Sequence, residues 1–101
     1  MLVRVLIERR FKKDREAEGI EKILEMRRSA TTHPGCVSGE TLTDTEDPCT
    51  IIIVSTWHSL GDWSKWESTE EHRRLAAAIG PMLDKPASVR KFVNPWDALL
   101  E

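Results

Sequence analysis

Along the first eleven residues apolar side chains occupy both parities, Val3, Val5 and Ile7 on one and Leu2 and Leu6 on the other. β-branched residues at this density predict a strand from Leu2 to Phe11, buried on both faces at its start and emerging into water at Glu8 to Arg10. From Asp14 to Thr31 the period changes to Ala17, Ile20, Ile23/Leu24 and Arg27, flanked by Met26 and Ala30, which is the stripe of a helix. Gly19 weakens its first turns, and His33-Pro34-Gly35 ends it, because proline disfavours helical geometry in the residue before it. Cys36–Thr43 and Thr50–Trp57 read as strands joined by the polar turn Asp44 to Pro48, a hairpin whose second arm is apolar on both faces in its first half, as a central strand is.

Ser59-Leu60-Gly61-Asp62 predicts a short helix to about Trp66 with Ser59 as its N-cap. Ser68-Thr69-Glu70-Glu71 has the spacing of a capping box and opens a further helix to about Ile79, broken by Gly80-Pro81. A fourth strand follows at Ala87 to Val93, and 94–101 is a short tail. The order β-α-β-β-α-β is the ferredoxin-like α+β plan, one domain over 1–93 with an antiparallel four-stranded sheet carrying its helices on one face. Strands apolar on both faces then need cover for the second face. An identical sheet across a twofold axis supplies it, so a homodimer is expected, with Trp96, Leu99 and Leu100 of the tail reaching the partner.

Composition narrows the partners. Fifteen basic and seventeen acidic residues among 101 give a net charge of −2 and are interspersed, without the basic footprint that nucleic acid or an anionic membrane requires. Arg9, Arg10, Lys12 and Lys13 alternate with acids and read as a solvated strand end. Ile51 to Val54, the longest apolar run, is far too short to cross a bilayer, and the N-terminus lacks a signal peptide's apolar core, so the expected location is the cytoplasm. Cys36 and Cys49 match no zinc spacing, and the hairpin sets them roughly 20 Å or more apart at about 3.3 Å per residue, too far for a disulfide. His33, His58 and Cys36 form no recognised metal set; turn and surface roles suffice for them.

The densest chemistry lies in Trp57-His58-Ser59 through Trp63, Trp66 and Ser68-x-x-x-His72-Arg73, three of the chain's four tryptophans within ten residues. Trp63 and Trp66, three apart, share a helix face, which plain core packing also explains. His72 has the natural pKa for proton transfer, while its neighbours Glu70, Glu71, Arg73 and Arg74 describe an exposed helix surface. Glu40 is a base if it faces inward and a solvated charge if it faces out; the strand sets Val37 and Thr41 against Ser38 and Leu42, and alternation leaves both open.

Together with Pro34-Gly35-Cys36-Val37-Ser38-Gly39-Glu40-Thr41-Leu42 and the third strand, this stretch resembles the antibiotic-biosynthesis-monooxygenase family of the dimeric α/β-barrel superfamily. The resemblance implies a cofactor-independent monooxygenase, without metal or flavin, that oxidises a small aromatic, quinol or polyketide-like substrate with dioxygen in an apolar pocket. It also implies His72, Trp66 and Glu40 as catalytic candidates and Trp57, Trp63, Trp66 and Arg9 as substrate-binding ones. The family's haem-degrading branch carries an asparagine on its first strand and a histidine ten residues after its tryptophan; here those positions are Arg9 and Ala76, so that reaction is not expected. The alternative, from the missing tyrosine and missing haem histidine, is a small-ligand-binding or stress-associated dimer without turnover.

Overall fold

The computed structural model describes residues 1–100, with side chains through Asp97. Its elements are β1 Val3–Arg10, α1 Glu16–Ala30, β2 Cys36–Thr43, β3 Thr50–Trp57, α2 Leu60–Glu67, α3 Glu70–Ile79, the 3-10 turn Gly80–Met82, β4 Ser88–Val93 and α4 Pro95–Leu100. The sheet order is β2-β3-β1-β4, antiparallel throughout. The two strands read as apolar on both faces, β1 and β3, are the two inner strands, as burial on both sides requires.

Register fixes the two faces. Val3, Val5, Ile7 and Arg9 of β1 pair with Trp57, Ser55, Ile53 and Ile51 of β3, and this face carries the helices: Val5, Ile51 and Trp57 are fully buried. Ile23 and Met26 of α1, Trp63 and Trp66 of α2 and Leu75 and Ile79 of α3 complete the core. The opposite face carries Arg4, Leu6 and Glu8 beside Thr56, Val54 and Ile52, flanked by Glu40 and Leu42 on β2 and Arg90 and Phe92 on β4. β4 is exposed along its whole length.

Four details differ from the pattern read along the chain. Arg9 does not emerge into water: strict alternation carries it inward after Val3, Val5 and Ile7, and it is 5% exposed. The buried line of α1 is Gly19, Ile23 and Met26, with Ala30 packed alongside, whereas Ala17, Ile20 and Leu24 are exposed. Gly19 selects that phase, because a Cβ there would overlap the ring of Phe11. The hydroxyl that caps α3 is that of Thr69, which accepts from the His72 N–H at 3.1 Å; Ser68 instead donates to the Ser64 carbonyl at 2.7 Å and closes α2. Finally, the tail holds a helix, α4, entered through Asn94-Pro95 with the Asn94 side chain accepting from Trp96 N–H at 2.9 Å. Trp96 is 70% exposed, while the side chains of Leu99 and Leu100 lie outside the described residues.

Ser59 caps α2 as expected, accepting from Asp62 N–H at 3.1 Å. Gly35 sits at φ 90°, where a Cβ would collide with Asp62, and its carbonyl accepts from His58 N–H at 2.8 Å. That pins the loop after α1 onto the end of β3 and brings His33 toward α2.

Candidate functional site

A cavity lies between the helix-bearing face of the sheet and helices α1, α2 and α3. Arg9, Met26, Trp57, Trp63, Trp66 and His72 all line it, with Arg27 of α1 and Cys36, Ser38 and Gly39 of β2 on its remaining walls. The local sequence explains the convergence. β1 alternation aims Arg9 inward, the helical spacing of three places Trp63 and Trp66 on one face of α2, and the Thr69 cap fixes the start of α3 so that His72, at its first turn, meets them.

The aromatic groups form a connected wall. Trp57 and Trp63 meet edge to face at 5.7 Å between ring centroids, and His72 stands nearly perpendicular to both Trp66 at 5.2 Å and Trp63 at 6.2 Å. The His33 ring lies 4.6 Å from Trp66, tilted by 50°. Trp57 Nε1 donates to Ser55 Oγ at 3.0 Å, whereas the buried Trp63 Nε1 has no acceptor. Edge-to-face rings present hydrogens to π faces, which fixes their tilt as well as their contact.

The cavity encloses about 50 Å³. That volume suits one or two waters, while a buried aromatic ring needs roughly 150 Å³, so a ring seated fully inside has to displace a wall side chain. Met26 is the most adaptable of the apolar lining side chains, unbranched and with three rotatable bonds.

Electrostatically the site is unusual for its size. Burial lowers the Arg9 guanidinium to about 10, which leaves it fully charged at neutral pH. His72, half-buried, is held below the ordinary histidine value mainly by desolvation; Glu67 opposes that and Arg9 reinforces it. Desolvation thus favours the neutral imidazole, which stands within the field of a buried cation. Burial raises the Cys36 thiol, which argues against a thiolate nucleophile in this wall. Among the described residues no three of His, Cys, Asp or Glu gather as metal ligands.

Of the residues singled out along the chain, the fold brings Arg9, Trp57, Trp63, Trp66 and His72 into one cavity and leaves Glu40 out. Glu40 pairs with Val54 on the opposite face, exposed beside Arg4 and Thr56. The register shift between Cys36 and Ser38 makes Val37 the extra residue of β2 and resets its alternation, which decides the parity that the sequence left open. Met26 and Arg27, which the sequence shows only as helix stripe, are wall residues as well, and His33, a turn residue by sequence, packs its ring against Trp66. Their signal was their spacing from the Pro34-Gly35 turn, which carries meaning only once that turn is known to fold back onto α2.

The family model for antibiotic biosynthesis monooxygenase matches residues 2–78. No curated protein matches the sequence. Among solved structures the chain is similar to a conserved protein from Methanosarcina mazei Go1, with a TM-score of 0.86 at 14% identity over 91% of each chain. It is also similar to Rv0793 from Mycobacterium tuberculosis, with a TM-score of 0.85 at 14% identity over 93% of this chain and 95% of that one. The third is SnoaB from Streptomyces nogalater, named a cofactor-independent oxygenase, with a TM-score of 0.84 at 12% identity over 92% of each chain. Identities this low establish a shared fold.

Proposed function

The chain belongs to the antibiotic biosynthesis monooxygenase family, and from that premise we propose that it is a cytoplasmic, homodimeric monooxygenase. Its substrate would be a small aromatic, quinol or polyketide-like compound, oxidised by dioxygen without a bound metal or flavin. The observation that carries this reading is His72 set edge-on against Trp63 and Trp66 in a cavity that also holds Arg9. Deprotonating a phenol or its keto tautomer needs a base that is unprotonated at working pH and a cation near the oxyanion that forms. Desolvation favours the neutral form of His72, Arg9 supplies the cation, and the tryptophan walls limit the water that competes for either.

The chemistry balances on the substrate and dioxygen alone. His72 takes a proton from a CH2 group conjugated to the phenol, leaving an electron-rich carbanion with its charge delocalised onto oxygen near Arg9. That anion reduces dioxygen and combines with it to a peroxide, which recovers the proton from His72. Loss of water then converts the carbon to a carbonyl, so that CH2 plus O2 becomes C=O plus H2O.

Oxygen uptake against a panel of hydroquinones and hydroxynaphthalenes, with free metal chelated, tests the proposal. One O2 consumed per carbonyl formed is expected, with kcat reduced about 10²- to 10⁴-fold in His72→Gln, the range of one acid–base group. Binding of the same compounds with uptake no faster than the buffer blank would overturn it in favour of a ligand-binding protein without turnover.

A further inference from the structure

Arg9 is charged, 5% exposed and a wall of the cavity, and among the described residues its guanidinium has a single polar contact. That contact is Met26 Sδ, 3.7 Å from Nη2, and a thioether is a weak acceptor. The other arginines nearby are satisfied conventionally: Arg10, the next residue on the strand, meets Asp47 at 2.9 Å and also Asp84, and Arg27 donates to the Gly39 carbonyl at 2.7 Å. No aspartate or glutamate lines the cavity. A second lining residue, Trp63, keeps a buried indole N–H without an acceptor. The wall therefore offers donors in excess and no anion to meet them, although a largely buried guanidinium is best stabilised when an anion or a full set of acceptors replaces the hydration it has lost.

We propose that the cavity recognises an aromatic ligand bearing an oxyanion, a carboxylate or a phenolate, and that this oxyanion binds Arg9 in place of the Met26 sulfur. Arginine cannot escape the charge by losing its proton, and its planar fork matches two oxygens at once. Met26, by swinging away, both frees the fork and enlarges a space too small for a ring. The ring then packs against Trp57 and Trp66, and a neutral aromatic of the same shape leaves Arg9 desolvated and unpaired, which is the source of the selectivity. This rests on the same cavity as the monooxygenase reading but requires no turnover.

Anaerobic calorimetric titration of the whole chain at pH 7 with 2-naphthoate, 2-naphthol and the neutral 2-naphthylmethanol tests it. Binding of 2-naphthoate at least tenfold tighter than the alcohol identifies a carboxylate site; tight binding of 2-naphthol with the absorbance of its anion identifies a phenolate site. In either case Arg9→Met removes the preference while the alcohol still binds, and Arg9→Lys, which keeps the charge and loses the fork, retains part of it. Equal affinity for all three ligands, or a preference that survives in Arg9→Met, overturns the proposal. Should Arg9→Met not fold, a preference undiminished in Arg9→Lys overturns it as well, since the fork is then irrelevant. Charge preference without oxygen uptake keeps this site and removes the oxygenase, and oxygen uptake without charge preference does the reverse.

Discussion

A methyl group added at Gly19 acts in two opposing directions. Alanine is the better helix former by about 1 kcal/mol, and Gly19 has the right-handed backbone of a regular helix, so local preference favours Gly19→Ala. Against this, the new carbon overlaps the Phe11 ring, which is fully buried, and displacing a packed aromatic costs about 1–3 kcal/mol. Urea denaturation is expected to show a net loss of about 1 kcal/mol, and a stabilised variant would contradict the close contact. The same contact explains a misread phase: a glycine inside a helical stripe looks like a weak point, and nothing in the sequence says that a ring from β1 fills its place. Arg9 was legible in principle, because it continues the Val3, Val5, Ile7 parity, but its charged neighbours pointed to water and hid the alternation. The charged neighbours of His72 point to solvent and its pKa to chemistry, and the fold places it half-buried at the cavity wall. Its pH behaviour follows from desolvation. A histidine whose folded pKa lies below its unfolded value takes its proton later than the unfolded chain does. Its contribution to stability is therefore intact above the ordinary histidine value and is lost as the pH falls through the folded pKa. The proposed base must likewise be neutral, so kcat/KM should fall on the acid side with an apparent pKa below the ordinary histidine value. An acid limb at or above that value, or one that persists in His72→Gln, would remove His72 from the role.

The junction of α2 and α3 shows what each element contributes to the site. Ser68 and Thr69 are adjacent hydroxyls with different work: Ser68 closes α2 on the Ser64 carbonyl, and Thr69 receives the His72 N–H and opens α3. Thr69→Ala is expected to cost about 1 kcal/mol, the usual loss for an N-cap, and, because the lost acceptor served His72 itself, to weaken ligand binding in the cavity too. Ser68→Ala should cost less than half as much and leave binding unchanged. Equal effects of the two substitutions in urea midpoints and ligand titrations would mean that the cap does not position the histidine. The sequence offered Ser68 first because a serine three residues before Glu71 has capping-box spacing; which hydroxyl wins depends on where α2 stops, and that is a matter of how Trp63 and Trp66 seat in the core. Strands β2 and β3 were readable to the residue, since turn residues bound them on both sides. α4 has an N-cap in Asn94 and a proline at its first helical position, but its six residues carry too little periodicity to distinguish it from a tail.

On the scale of the whole molecule, the face of the sheet opposite the helices calls for a partner. Leu6, Ile52 and Val54 lie across its centre, and Leu42 and Phe92 flank them at 44% and 41% exposure, with Leu2 at 45% beyond the strand end. Each large apolar side chain left in water forgoes about 1.5–3 kcal/mol of burial, against a total stability of about 5–15 kcal/mol for a domain of this size. The charges on this face are of both signs, Arg4 and Arg90 against Glu8 and Glu40, so a twofold axis can set each against its opposite in a second copy, as an isologous interface requires. β4, uncovered on both sides, and the exposed Trp96 that follows it extend the surface available to such a partner. Sedimentation equilibrium at micromolar concentration is therefore expected to give about twice the 11.6 kDa chain mass. Leu42→Glu and Phe92→Glu, at positions a monomer leaves half open, should shift the distribution toward monomer without unfolding the chain. A wild-type protein that sediments as a stable 11.6 kDa monomer would show that this face is tolerated in water, and the dimer would have to be abandoned.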